Sequence, residues 1–294
     1  MSMDAVTLPD LSGRTAVVTG ANSGLGVETT RMLAGMGARV VLAVRDLDRG
    51  REAAATVRGE TEVRRLDLAD LSSVRAFADE WEGDLHLLIN NAGVMAIPES
   101  RTKDGFETQF GTNHLGHFAL TNLLLEHVTG RVVTVSSSMH RAAPGIDFDN
   151  VDLVGRYTPY RAYCQSKLAN LLFTLELQRR LADAGSTVLA AAAHPGYAAT
   201  NLQSHSGSRL QNGLLALGNR IFAQSATAGA LPTIYAATQD VPGAAYAGPK
   251  SMGRGAPALA GRSEAAWDGV AAQRLWTLSE ELTGVAFPLK ASTD

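Results

Sequence analysis

Residues 15–26, Thr-Ala-Val-Val-Thr-Gly-Ala-Asn-Ser-Gly-Leu-Gly, set the reading from which the rest of the chain follows. Thr15–Thr19 is a short apolar, β-branched run without polar alternation, the pattern of a strand buried on both faces. Gly20 ends it, and Gly24 and Gly26 open a stretch of helical periodicity at Gly24–Met36. A glycine-rich turn between strand and helix bends sharply and lets a ligand approach the backbone. The helix N-terminus adds oriented N–H groups and partial positive charge. The spacing is G-x-x-x-G-x-G rather than G-x-G-x-x-G, and the Gly-Lys-Ser/Thr of a triphosphate loop is missing. Gly20, Asn22, Ser23, Gly24, Leu25 and Gly26 are therefore expected to cradle a pyrophosphate.

Working outward, similar short runs recur at Arg39–Val44, Glu62–Leu66, Leu85–Ile89, Arg131–Val135 and Thr187–Ala193. Helical patterns lie between them, at about Gly24–Met36, Asp46–Arg58, Leu71–Trp81, Lys103–His127 and Pro159–Ala184. Strict alternation predicts an α/β fold: a doubly wound (Rossmann) parallel sheet with helices on both faces and a ligand crevice at the strands' carboxyl ends. One domain is expected over residues 1–294, with a cofactor-binding and catalytic core at about 14–200. A substrate lid and loop would follow at about 201–262, and a C-terminal helix and tail at 263–294. Within the lid, Tyr197–Gln224 reads as polar turns followed by an apolar helical stripe of Leu210, Leu214, Leu217, Ile221 and Phe222. The Gly/Pro-rich stretch 242–262 reads as an ordered loop.

The end of the second strand bears on which nucleotide fits. An acid there binds a ribose 2′-hydroxyl, whereas a cation binds a 2′-phosphate. This strand ends Ala43-Val44-Arg45, with the first acid at Asp46, so Arg45 favours NADP, with NAD as second choice. Proton chemistry is expected at Tyr163-Cys164-Gln165-Ser166-Lys167, where residues four apart share a helix face. A phenol with its ordinary pKa near 10 transfers protons poorly at neutral pH. A neighbouring ammonium and an oxidised nicotinamide would both lower it.

Taken in order, the glycine loop, Asp67-Leu68, Asn90-Asn91-Ala92-Gly93, Asn113, Ser137, Tyr163 with Lys167, and Pro195-Gly196 through Thr200 resemble the short-chain dehydrogenase/reductase family over nearly the whole chain. The wording of 162–170 (AYCQSKLAN), 194–196 (HPG) and 275–284 (LWTLSEELTG) is similar to its retinol-dehydrogenase-like branch. The resemblance implies a catalytic set of Asn113, Ser137, Tyr163 and Lys167. Tyr163 would exchange the substrate proton, and Lys167 would lower its pKa and bond the nicotinamide ribose. Ser137 would hold the substrate oxygen, and Asn113 would anchor a water leading from Lys167 to solvent. It further implies that Asp67 and Leu68 bracket the adenine, that Asn90 lies on the adenosine side, and that Thr200 contacts the carboxamide or the phosphates. Ala92, Gly93, Pro195 and Gly196 would also bind the cofactor. The implied reaction is hydride transfer between NADP(H) and an apolar carbonyl or alcohol. A C=C reductase of the same family and a non-catalytic NADP(H)-binding regulator are the alternatives.

Composition narrows the remaining classes. The 294 residues carry 45% apolar and 19% charged side chains and a formal charge of −3, with no Lys/Arg block of the kind that marks a nucleic-acid surface. Cys164 is the only cysteine, so no internal disulfide forms. The seven histidines show no H-E-x-x-H pattern, and no metal site is expected. No basic-then-apolar leader precedes Gly13, and no run approaches the ~18 apolar residues of a membrane span, which makes the cytoplasm the default location. Leu168, Leu171, Leu172, Phe173, Leu175 and Leu177 exceed one core-facing stripe. They suggest a homodimer or homotetramer, unless the chain's own tail covers them.

Overall fold

In a computed structural model, residues 8–196, 225–251 and 254–290 are described. Eight strands form one sheet in the order β3-β2-β1-β4-β5-β6-β7-β8. They are β1 (Thr15–Thr19), β2 (Arg39–Val44), β3 (Thr61–Arg65), β4 (Leu85–Asn90), β5 (Val128–Val135), β6 (Leu189–Ala193), β7 (Tyr246–Ser251) and β8 (Arg254–Leu259). β1 through β7 run parallel, and β8 returns antiparallel to β7. The central strands are buried throughout (Val17, Val41, Leu88 and Val133 have no exposed surface), as double coverage requires. The β3 edge is only half-buried and carries Glu62, which Arg39 and Arg64 both contact; charge of this kind discourages edge-to-edge pairing.

Helices α1 (Gly24–Gly35), α2 (Leu47–Ala55), α3 (Leu71–Asp79), α4 (Thr108–Phe110), α5 (Gly116–Leu124), α6 (Pro159–Asp183), α7 (Ala226–Thr238) and α8 (Gly269–Thr283) cover the two faces. Local chemistry starts several of them. Asp46 caps α2 through Oδ1, which accepts from the Asp48 and Arg49 amides, and Thr158 caps α6 ahead of Pro159 at its first position. Among the described residues, no helix is long and apolar enough to cross a membrane.

Three expectations need correction. The 242–262 stretch contains β7 and β8, not a loop: Tyr246 and Ala247 pair with Ala192 and Ala193, and Pro249 and Pro257 oppose each other across the final hairpin. Tertiary pairing overrides the weak strand propensity of Gly, Pro and Ala there. The helix expected over Lys103–His127 starts only at Thr108, where the Glu107 carboxylate accepts from the Gln109 and Phe110 amides. It then passes through a π-helical turn, Gly111–Leu115, before resuming as α5. The third correction is α7, a helix within the span expected to be lid and loop. Its Pro232 sits within a helix capped by Ser225. Tyr197–Gln224, including the apolar stripe and Thr200, lies outside the described residues.

The surplus apolar surface of α6 is accounted for within one chain. Leu168, Leu171, Leu172, Phe173 and Leu177 are at most 2% exposed, and Phe173 stacks on Trp276 of α8 with ring centroids 5.8 Å apart. The tail thus supplies the burial for which a second subunit was one candidate.

Candidate functional site

Strand order reverses between β1 and β4, and there the sheet opens a crevice of the kind that holds ligands in doubly wound folds. A cavity of about 420 Å³ occupies this position. Its floor is the turn after β1: Gly20, Asn22, Ser23, Gly24, Leu25 and Gly26 all line it. Two glycines are required by geometry. Gly20 sits at φ +64°, with an added Cβ 2.9 Å from that of Ala92, and a Cβ on Gly26 would meet the Gly20 carbonyl oxygen at 2.3 Å. No side chain caps the N-terminus of α1, and no acid lies in its first turn, so that end stays free to attract an anion. A glycine-walled cleft ending on an uncapped helix fits an extended dinucleotide.

Arg45, Asp67, Leu68, Ala92 and Gly93 line the same cavity. Arg49, which the sequence reading passed over, lines the cavity beside Arg45, and both are exposed. Neither guanidinium takes part in any ion pair of the described residues. Their spacing of four, across the start of α2, was the available signal. Asp46 is occupied as the α2 cap, and Asp67 Oδ1 accepts from the Ala69 amide at 3.0 Å. Asn90 is placed elsewhere: it is fully buried, and its Nδ2 donates to Thr121 Oγ1 at 2.9 Å. Its neighbour Asn91 lines the cavity and donates from Nδ2 to the Thr19 carbonyl at 2.8 Å. Alternation along the end of β4 sends the two side chains opposite ways. Pro195 and Gly196 follow β6, where the Gly196 amide donates to His194 Nδ1 at 3.1 Å.

Asn113, Ser137, Tyr163 and Lys167 converge. Lys167 Nζ lies 5.7 Å from the centroid of the Tyr163 ring and donates to the Val135 carbonyl at 3.1 Å, which also accepts from Asn170 Nδ2. The three serines ending β5 separate by orientation. Ser136 is buried and donates to the Lys167 carbonyl at 2.7 Å, Ser138 is exposed, and Ser137, half-buried, accepts from the Met139 amide at 3.2 Å and lies close enough to the Tyr163 phenol to favour its ionised form. Asn113, in the middle of the π turn, pairs with the Val94 backbone through both side-chain atoms and reaches Ser166 Oγ at 2.9 Å. A Cβ on Gly93 would lie 3.0 Å from Asn113 Oδ1 and 3.4 Å from Lys167 Nζ, so only glycine leaves the two groups this close without displacement.

Burial dominates the electrostatics. It pushes the Tyr163 phenol up to about 12, against the opposing Ser137 hydrogen bond, and pulls Lys167 down to about 8. The lowered phenol pKa expected from the Tyr-x-x-x-Lys spacing is therefore not a property of the chain alone. At neutral pH the phenol keeps its proton, ready to donate, and Lys167 remains largely an ammonium.

A glycine-lined cleft beside a largely buried cluster of Tyr163, Lys167, Ser137 and Asn113 fits the architecture of a nucleotide-dependent oxidoreductase. Comparison with known proteins makes the class specific. The family model for short chain dehydrogenase matches residues 14–211. The chain is 42% identical to human retinol dehydrogenase 12, covering 94% of this chain and 88% of the relative, and 43% identical to human retinol dehydrogenase 13, covering 95% and 87%. It is also 42% identical to mouse polyprenol dehydrogenase, over 94% of this chain and 86% of the relative. Among solved structures, an uncharacterised protein from Mycobacterium paratuberculosis superposes with a TM-score of 0.85 at 53% identity, covering 97% of this chain and 98% of that one. The chain belongs to the short chain dehydrogenase family. It is an oxidoreductase of alcohols or carbonyls that uses a nicotinamide cofactor.

Proposed function

We propose that this enzyme is an NADP(H)-dependent carbonyl reductase or alcohol dehydrogenase for an apolar substrate, with Tyr163 as the proton-transferring group. The observation that carries the reading is the buried Tyr163 side chain beside Ser137, with Lys167 Nζ 5.7 Å from the centroid of its ring. A substrate oxygen placed between Tyr163 and Ser137 would accept two hydrogen bonds, and the phenol would deliver its proton as the C–O group gains charge. Lys167 stabilises the phenolate left behind, and Asn113 holds the loop after β4 against α6. When bound, a nicotinamide would supply or accept the hydride, and in the alcohol-oxidising direction its positive ring would favour the Tyr163 phenolate.

Preference for NADP rests on Arg45 and Arg49, two cations without carboxylate partners in the lining of the cleft. Asp67 and Leu68 would flank the adenine, and Thr200 would contact the carboxamide or phosphates. An apolar substrate is supported by relatives named for retinol and polyprenol. The test is Tyr163→Phe, assayed by NADPH oxidation with retinal, long-chain aldehydes, aromatic ketones and quinones. Turnover should fall by about 10²–10⁴-fold while NADPH affinity stays within about twofold. Undiminished turnover in the variant would end the proposal.

A further inference from the structure

His117 lies outside the four-residue set, yet it joins the two halves of the site. Its side chain is 1% exposed. Nδ1 lies 3.0 Å from the Asn113 carbonyl oxygen, and Nε2 lies 2.8 Å from Thr19 Oγ1. A carbonyl only accepts, so Nδ1 carries the hydrogen. In the neutral ring Nε2 is then a lone pair, and the Thr19 hydroxyl must donate to it. That leaves the Thr19 oxygen as an acceptor, and it receives the Asn91 and Ala92 amides, each at 2.9 Å. Two acceptors face the Thr19 hydroxyl, His117 Nε2 at 2.8 Å and the Ile89 carbonyl at 3.4 Å, and the shorter contact sets the direction: amides 91 and 92 to Thr19, Thr19 to His117, His117 to Asn113.

The two ends of this relay are the two parts of the reaction centre. Asn91 and Ala92 line the cofactor cleft, Ala92 against Gly20 and Asn91 against Gly26. Asn113 sits across Gly93 from Lys167 Nζ. Protonation of the ring would put a hydrogen on Nε2 and reverse the Thr19 bond. Burial opposes it, and so does the Lys167 charge on α6, lowering His117 to about 4; the Asn113 carbonyl acts the other way. His114 of the π turn is the remaining titratable group coupled to it.

We infer that His117 is a positioning residue that fixes the Asn113 carbonyl and the Asn91–Ala92 turn relative to each other, linking the cofactor cleft to the lysine end of the site. The inference rests on the reading of Tyr163 and Lys167 given above, and its test separates the two. His117→Asn keeps a donor near the Nδ1 position and loses the Thr19 partner. His117→Gln reaches the Nε2 position and loses the Asn113 bond. With NADPH as ligand, His117→Asn should weaken binding about three- to tenfold, while kcat and its alkaline limb, the decline expected as Lys167 loses its proton at about pH 8, stay at the parent's values. His117→Gln should bind NADPH within about twofold of the parent, with kcat for the fastest carbonyl of the panel down about three- to tenfold and the limb displaced. Equal losses of both quantities in both variants mean general loosening and overturn the inference.

A third arm needs no variant to be active. Imidazole nitrogen-15 spectra of the parent chain with NADPH, assigned by the signal lost in either variant, should show a neutral Nδ1–H ring between about pH 5 and pH 9. An Nε2–H or protonated pattern in that range overturns the inference. The NADPH-binding and spectral arms stand even if Tyr163→Phe retains turnover, so failure of one proposal is not failure of the other.

Discussion

Replacing Arg45 and Arg49 together with alanine tests how this cleft selects its nucleotide. Both guanidiniums line the cavity, and both are exposed, so each attraction to a 2′-phosphate acts through a largely aqueous dielectric. A charge pair at ~4 Å gains about 1 kcal/mol in that limit, so two give about 2 kcal/mol, or roughly a 30-fold change in Kd. The loss should fall on NADPH alone, because NADH places only a hydroxyl there. Fluorescence titration of parent and variant with each nucleotide, at low and high salt, reads the effect directly. The parent's preference should also shrink at high salt, where exposed charges are screened. Asp46 is occupied as the α2 cap, so the variant gains no new ribose ligand and NADH affinity should stay within about twofold. Equal weakening of both nucleotides, or none for either, would refute the reasoning.

Three further outcomes follow from the site. Ser137→Ala should lower kcat by about 10–100-fold, Ser138→Ala should leave it unchanged, and Ser136→Ala should lose about 1 kcal/mol of stability through its bond to the Lys167 carbonyl; urea unfolding and steady-state rates separate the three. In Gly26→Ala the new methyl would stand 2.3 Å from the Gly20 carbonyl oxygen. NADPH binding should weaken at least tenfold and Tm should fall by roughly 2–5 °C for about 1–3 kcal/mol of overpacking, measured by titration and calorimetry. Carbonyl reduction needs the Lys167 ammonium, which is present below its lowered pKa and lost above it. The rate should therefore be level at neutral pH and decline as pH rises through about 8, and in Lys167→Met that limb should vanish from a much lower rate.

Local signals made the glycine loop and the Tyr163–Lys167 helix legible, because a sharp turn and a helical spacing are properties of neighbouring residues. The ordering of Ser136, Ser137 and Ser138 was also accessible, through strand alternation and the family pattern. What the chain concealed depends on distant partners. β7 and β8 exist because β6 offers an edge to pair with, not because Tyr246–Leu259 prefers extension. Pro232 disguised α7. The His117 relay joins residues 19, 91, 92, 113 and 117, and histidine spacing alone says only that no metal site is expected. Burial is what reversed the expected direction of the Tyr163 shift, and burial is a property of the folded whole.

The π turn at Gly111–Leu115 makes chain length a functional variable. Such a turn holds one residue more than the α-helix it interrupts, so removing any one residue there would let the segment settle into regular hydrogen bonding through α4 and α5. The shortened helix would gain backbone order. The same deletion would swing the position of Asn113 by about 100° around the axis, away from Val94 and Ser166. Substitutions in this segment tune the site, whereas a change of a single residue in length trades the site for a better helix.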